Sequence, residues 1–267
     1  MDSALKQSCG CYFYEWKERA LTDSVGYRRK FAIIMPSTNT VVEHDYSAMK
    51  IPGVTCHFGR IYLEDGAAGD NDAFEQLISQ IRASTAEAVK VVMTCKPDYL
   101  VMGMSAETFW GGKAGNEAFT QRMKDLSGVE VSTGADACHK AAEVLGIKRI
   151  AVITPYQPVA DDQVYTFFSE TGLEVVRIKG LKCETATAIA EVQEDRLINE
   201  LKEIDGDDID AIVQVGTNLS MLRVAAEAER WLGKPVLAIN AVTLWHALRA
   251  NGIDDQIAGF GQLLGKH

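Results

Sequence analysis

No stretch of the 267-residue chain approaches the roughly 18–20 consecutive apolar residues that span a bilayer. The N-terminus has no signal-peptide core either, because Cys9-Gly10-Cys11-Tyr12-Phe13-Tyr14 is interrupted at once by Glu15 and Lys17. No membrane association is therefore expected, and a cytoplasmic location is. Positive charge is scarce: 27 Lys and Arg stand against 37 Asp and Glu, a net charge of −10. That balance argues against a nucleic-acid surface, which needs clustered cations. Arg28-Arg29-Lys30 is too short to reverse it and reads as a solvated approach to a strand. The six cysteines (Cys9, Cys11, Cys56, Cys95, Cys138 and Cys183) are scattered, so free thiols rather than a disulfide frame are expected. Cys9 and Cys11 lack a second ligand pair, and His57, His139 and His246 match no metal spacing, so no metal is expected. Gly111-Gly112-Lys113-Ala114-Gly115 lacks the Gly-Lys-Ser/Thr ending of a phosphate loop. No cofactor is called for, and no linker rich in Pro, Gly or Ser divides the chain.

What is there is a 47% hydrophobic composition, enough for one large core or two smaller ones, and an internal echo. Lys30-Phe31-Ala32-Ile33-Ile34-Met35-Pro36 is repeated in character by Arg149-Ile150-Ala151-Val152-Ile153-Thr154-Pro155, each an apolar run of strand length stopping at a proline. Asp98-Tyr99-Leu100-Val101-Met102-Gly103 is echoed by Asp210-Ala211-Ile212-Val213-Gln214-Val215-Gly216. The spacing from Pro36 to Gly103 is 67 residues and that from Pro155 to Gly216 is 61. Two similar α/β halves facing one another, with four strand-end loops converging on one cleft, follow from this repeat.

Short β-branched runs alternate with helical stretches, the pattern of a parallel sheet covered on both faces. Strands are expected near 31–35, 54–59, 98–102, 129–132, 149–153, 174–178, 211–215 and 235–239. Helices are expected near 39–49, 71–95, 114–125, 134–145, 158–171, 187–203, 219–232 and 241–250. In the helix over 71–95, Phe74, Leu77, Ile78, Ile81, Ala88 and Val92 form one apolar stripe, read as buried. The fold class is thus two pseudo-symmetric Rossmann-like halves, each a parallel four-stranded sheet flanked by helices. Residues 1–29 form an N-terminal arm, 30–146 the first half and 147–240 the second, with the C-terminal helix 241–264 crossing back to complete the first. Tyr12, Phe13, Tyr14 and Trp16 are too much aromatic surface to stay wet, so the arm is expected to pack on the body or on a neighbouring subunit, making a homo-oligomer plausible.

In open α/β sheets ligands bind beyond the carboxyl ends of the strands. Ser37, Thr38 and Asn39 precede a helix there, as do Thr217 and Asn218. Unpaired N–H groups and the helix dipole at such ends favour an anion, for instance a carboxylate. Helix capping alone is the competing reading of each loop.

Pro36-Ser37-Thr38-Asn39-Thr40-Val41-Val42-Glu43 resembles the first-strand loop of maleate cis-trans isomerases. Pro155-Tyr156 is similar to their second-half loop with its tyrosine, and Gly216-Thr217-Asn218-Leu219 to their second cysteine loop. Val101-Met102-Gly103-Met104-Ser105 through Phe109-Trp110-Gly111 resembles arylmalonate decarboxylases, relatives within the aspartate/glutamate racemase superfamily. The resemblance covers roughly residues 28–264. It implies a small (di)carboxylate substrate held between the halves by Pro36, Ser37, Asn39, Gly103, Met104, Ser105, Tyr156, Gly216, Thr217 and Asn218. Asn39 and Tyr156 match substrate-binding positions, and Thr217 would contribute its backbone N–H.

Both family cysteines are missing. The first-half position falls on Gly103, or on Met104 if the loop is shifted by one residue, and the second falls on Gly216. Glycine offers neither the nucleophile nor the proton carrier that a thiolate supplies. Cys95 lies at the wrong end of its strand, Cys138 and Cys56 read as core, and Cys183 would reach the cleft only if its loop folds inward. Among other groups, Glu107 beside Phe109 and Trp110 is expected to have its carboxyl pKa raised by apolar surroundings, against the alternative of a surface carboxylate on a mobile loop. Tyr156 and Ser105 complete the catalytic candidates. His44 and Asp45 read as a solvated helix face. The expected function is a cofactor-independent decarboxylase, lyase or isomerase stabilising an enediolate-like oxyanion; the alternative is a non-catalytic dicarboxylate sensor or partner subunit. On this reading, cysteines installed at positions 103 and 216 together would create racemase or isomerase activity.

Overall fold

The computed structural model describes residues 23–66 and 68–267. Tyr12, Phe13, Tyr14 and Trp16, with their expected packing, lie outside the described residues, as do Cys9 and Cys11. The first half contains β1 (Arg29–Pro36), α1 (Val42–Ala48), β2 (Val54–Ile61), α2 (Asn71–Val92), β3 (Tyr99–Met102), α3 (Ala106–Phe109), α4 (Gly112–Ser127), β4 (Val131–Ser132) and α5 (Gly134–Leu145). The second contains β5 (Arg149–Thr154), α6 (Pro158–Glu170), β6 (Glu174–Gly180), α7 (Glu194–Ile204), β7 (Ala211–Gln214), α8 (Leu222–Leu232) and β8 (Val236–Ala238), followed by α9 (Ile239–Ala250) and α10 (Gln262–Lys266). The strand orders are β2-β1-β3-β4 and β6-β5-β7-β8, every pair parallel. Two parallel four-stranded sheets flanked by helices are therefore present, as the repeat implies.

The central strands show why. Phe31 to Met35 and Ile150 to Ile153 are fully buried, so both sheet faces must be covered, and crossover helices cover them. In each sheet the order reverses between the first and third strands of the half. The loops after β1 and β3, and after β5 and β7, flank these two switch points, where a crevice opens at the carboxyl ends. Helix α9 leaves the second sheet and packs on α5, α1, β3 and β4, while Arg28 Nη1 donates to Asp255 Oδ1 at 2.8 Å. The segment 241–264 is not one helix: α9 ends at Ala250 and a loop over 251–261 precedes α10.

Other departures have local causes. The helix expected from residue 187 starts at Glu194, because Thr185 Oγ1 accepts from Ala188 N at 3.0 Å and Thr187 Oγ1 donates to Asp65 Oδ2 at 2.6 Å. Such hydroxyl bonds offer the backbone an alternative to helix. The helix expected from residue 39 starts at Val42 because Asn39 Oδ1 accepts from Val41 N and Val42 N, each at 3.0 Å. The chain over Ala106–Phe109 makes one helical turn where a loop is expected.

The halves are clasped by side chains. Phe109 of α3 meets Phe167 and Phe168 of α6 with ring centroids 5.2 and 5.4 Å apart, all three buried. At the start of α6, Thr154 Oγ1 donates to Asp161 Oδ1 at 2.5 Å and accepts from Tyr156 N at 3.1 Å, fixing the loop that carries Tyr156. Gly180 closes this corner: a Cβ there would run into Asp161 Oδ2 and stand 2.9 Å from the Tyr156 carbonyl. Burial pushes the Asp161 carboxyl from its ordinary 3.8 up to about 6.

Phe109→Ala should lower stability by about 3–5 kcal/mol, the usual cost of emptying an aromatic site, read as a fall in the chemical denaturation midpoint. Asp161 makes a second, signed prediction. With its folded pKa raised, the native state holds the extra proton between pH 3.8 and about 6, so this group's favourable contribution is complete at low pH and lost as pH rises through that window. Asp161→Asn, which keeps an acceptor for Thr154, should therefore gain melting temperature on the wild type as pH rises from about 4 to about 6.5; a constant difference across that range would contradict this.

Candidate active site

Between the halves lies a small cavity of about 60 Å³, several times the ~10–15 Å³ that one water requires. Its polar lining comes from the four strand-end loops: Pro36, Thr38 and Asn39 after β1, Met104 and Ser105 after β3, Tyr156 after β5, and Gly216, Thr217 and Asn218 after β7. The repeat in the sequence thus places these loops together in space.

The loops are stitched across the gap. Asn39 Nδ2 donates to Thr217 Oγ1 at 3.2 Å, and Thr217 Oγ1 donates to the Gly103 carbonyl at 3.1 Å. Asn218 Oδ1 accepts from Thr40 N at 3.0 Å. Ser105 Oγ and Tyr156 Oη, one from each half, stand 2.6 Å apart and are both buried. The Tyr156 ring packs edge-on against Phe74 at 5.3 Å, and burial pushes its phenol well above the ordinary value, so the hydroxyl keeps its proton. The backbone N–H groups of Met104, Ser105, Thr217 and Asn218 have no hydrogen-bond acceptor among the described residues, and all four residues line the cavity.

The opposite wall is apolar and was not foreseen as part of the site. Phe74, Leu77 and Ile81 of α2 face the cavity, whereas the sequence stripe reads as core throughout. Their i, i+3, i+7 spacing was visible; that this face looks into a cleft is decided by where α2 docks. Leu63, Ala186 and Ile189 close the top. They sit on two loops joined across the halves by Ala68 N donating to the Glu184 carbonyl at 2.6 Å and by the Thr187–Asp65 bond.

Two expected contact residues stand behind this lining. Ser37 is turned toward β2, where its Oγ accepts from Leu63 N at 3.0 Å, and Gly103 is covered by Thr217 and β1. A Cβ at Gly103 would stand 3.1 Å from Ile33 Cγ2 and from the Ile34 carbonyl. At Gly216 the backbone φ of +108° disfavours any side chain, and a Cβ would run into the Pro155 ring. A cysteine at Gly216 would therefore be strained, whereas one at Gly103 asks Ile33, the Ile34 carbonyl and Met35 only to give by a few tenths of an ångström, so the activity expected of the double variant meets its steric obstacle at Gly216. Met104, the residue reached by a one-position shift, is the one that lines the cavity.

Glu107 also differs from expectation. It is buried on a helical turn rather than exposed on a mobile loop. Its surroundings are cationic rather than apolar: Arg82 Nε donates to both carboxylate oxygens at 2.8 and 3.0 Å, and Arg122 Nη2 lies 3.6 Å away. Phe109 points away into the aromatic cluster. Asp45, read as solvated, is 2% exposed and meets Asn240 Nδ2 at 2.8 Å, and burial raises its carboxyl pKa. His44, its sequence neighbour, remains exposed at 3.3 Å.

Among the described residues no cysteine lines the cavity. Burial lifts Cys56 and Cys138 to about 12, which keeps them as thiols, and Cys183 borders a surface depression beside Arg196. Among the described residues no three His, Cys, Asp or Glu side chains converge as metal ligands would, and no helix is long and apolar enough to cross a membrane.

Comparison with known proteins places this geometry. The arylmalonate decarboxylase of Bordetella bronchiseptica is 28% identical over 166 residues, 61% of this chain and 69% of that protein. The maleate isomerase of Pseudomonas putida is 24% identical over 246 residues, 86% of this chain and 95% of that protein. Both relatives are enzymes named for small dicarboxylic acids. A solved structure of Nocardia farcinica maleate cis-trans isomerase, carrying a covalently bound succinylcysteine intermediate, has the same fold: the TM-score is 0.82 at 19% identity, covering 90% of this chain and 99% of that one. A structure of arylmalonate decarboxylase matches with a TM-score of 0.70 at 21% identity, covering 88% and 98%. The sequence profile of the arylmalonate decarboxylases matches residues 67–264, and the chain belongs to that family.

Proposed function

We propose that this chain is a cofactor-independent enzyme that removes CO₂ from a small malonate-type acid. The observation that carries the reading is the Ser105–Tyr156 hydroxyl pair, 2.6 Å apart across the halves, facing an apolar wall in a cavity to which the described residues bring no thiol. The Nocardia isomerase holds its intermediate on a cysteine; among the described residues no cysteine lines this cavity. Covalent isomerisation therefore lacks its nucleophile, whereas decarboxylation needs none.

In the proposed reaction one carboxylate rests on the Ser105 and Tyr156 hydroxyls and on the backbone N–H groups of Met104, Ser105, Thr217 and Asn218. The other lies against Leu63, Phe74, Leu77 and Ile81, where its charge is poorly solvated. The carbon–carbon bond to that group breaks, its electron pair enters the retained carboxylate as an enediolate, and CO₂ departs. The growing oxyanion meets donors already aimed at it, the arrangement that contributes most to such steps. One proton is then taken up at carbon. Tyr156 is assigned as its immediate source, because an enediolate carbon is a far stronger base than a phenolate; the phenolate regains its proton from water as the monoacid leaves, and Ser105 holds the phenol in place. Glu107, held by Arg82 and Arg122, is assigned to shaping the rim.

Incubation with malonate, methylmalonate, phenylmalonate and maleate, followed by proton NMR, tests this. The expected result is conversion of a malonate to its monoacid, with kcat falling roughly 10²–10³-fold in Tyr156→Phe and by a comparable factor in Ser105→Ala. A thermal shift with every acid but turnover of none would establish the alternative of a non-catalytic sensor or partner subunit. Conversion of maleate to fumarate would replace decarboxylation with isomerisation.

A further inference from the structure

The turn after β7 has both its carbonyls tied down on the side away from the cavity. The Gly216 carbonyl accepts from Gln214 Nε2 at 2.8 Å and from Leu219 N at 3.1 Å, and the Thr217 carbonyl accepts from Asn240 Nδ2 at 3.0 Å. In a trans peptide the C=O and N–H point in opposite directions. Fixing the Gly216 carbonyl therefore aims the Thr217 N–H the other way, and fixing the Thr217 carbonyl does the same for the Asn218 N–H. Both residues line the cavity.

The two carboxamides are themselves held in one orientation. Gln214 Oε1 accepts from Ile239 N at 3.3 Å, in the first turn of α9. Asn240 Nδ2 also donates to Asp45 Oδ2 at 2.8 Å. The Asp45 carboxylate and the Thr217 carbonyl can only accept, so Asn240 must present its NH₂ to both. Its Oδ1 is left buried without a partner, an unfavourable state for a polar atom. Turning the amide over would set oxygen against two oxygens, so the unpaired atom is retained.

We propose that Gln214, Asn240 and Asp45 are positioning residues that aim the Thr217 and Asn218 amides into the cleft as a two-donor carboxylate cradle. None of the three lines the cavity, and they come from β7, α9 and α1. The identity of the anion rests on the functional reading above; the aiming of the amides does not.

The test compares Gln214→Met, Asn240→Leu and Asp45→Leu, which remove the donor or acceptor at similar size, with Asp45→Asn, which keeps an acceptor. Two quantities are read by ¹⁵N NMR: the Thr217 and Asn218 amide resonances without ligand, and the malonate dissociation constant from titration. The expected result is displaced resonances and about tenfold weaker malonate binding in Gln214→Met and Asn240→Leu, a partial loss of oxyanion-type donors. Asn240→Leu also removes the unpaired Oδ1 but leaves Asp45 Oδ2 and the Thr217 carbonyl without their donor, so a lower melting temperature is expected beside the displaced resonances. Asp45→Asn should recover affinity relative to Asp45→Leu. Folded variants whose Thr217 and Asn218 resonances coincide with the wild type would overturn the proposal; should one variant not fold, the remaining folded variants decide it. A wild type that does not bind malonate would count against the functional reading, while the ligand-free resonances still decide the positioning.

Discussion

Thr217 Oγ1 sits where the two halves meet, accepting from Asn39 and donating to the Gly103 carbonyl. This buried hydroxyl joins loops that follow β1, β3 and β7, and the rest of the cleft depends on it. A polar group shut away from water must be paired, so each half supplies what the other's loop ends lack. The cavity is consequently narrow and its walls fixed. The aromatic clasp of Phe109 with Phe167 and Phe168, and the loop contacts around Asp65 and Thr187, hold the same register from the other side.

The chemistry follows from an asymmetry within that cavity. One wall offers hydroxyls and peptide N–H groups, the other carbon. In the proposed reaction a carboxylate on the polar wall is stabilised while one pressed against α2 is not, and this difference would favour loss of CO₂ from the second group. That no cysteine among the described residues lines the cavity is in keeping with this proposal, since charge stabilisation does not require a nucleophile.

Helix α9 has a role beyond completing the first half. Its first turn reaches under the β7 loop, where Ile239 and Asn240 meet Gln214, Thr217 and Asp45. A carboxylate that looked like ordinary helix-surface charge in the sequence is thereby buried and given a polar partner. Glu107 underwent a similar change of meaning, because Arg82 and Arg122, 25 and 15 residues away along the chain, converge on it.

The sequence by itself determined the two-half α/β architecture, since apolar runs such as Phe31 to Met35 can exist only inside a covered sheet, and local periodicity records that. It also determined which loops meet, because a repeated strand order sends equivalent loops to equivalent places. The convergence of the loops that carry Asn39, Ser105, Tyr156, Thr217 and Asn218 was legible for this reason, while the roles expected of those side chains came from the resemblance. Only the tertiary structure decided which side of α2 faces the cavity, that Ser37 and Gly103 stand behind it, that Gly216 has no room for a side chain, and that Asp45 and Asn240 meet. These depend on contacts between residues up to about two hundred positions apart, as with Asp45 and Asn240 at a separation of 195, and burial, charge pairing and steric room at such contacts arise only when the elements dock.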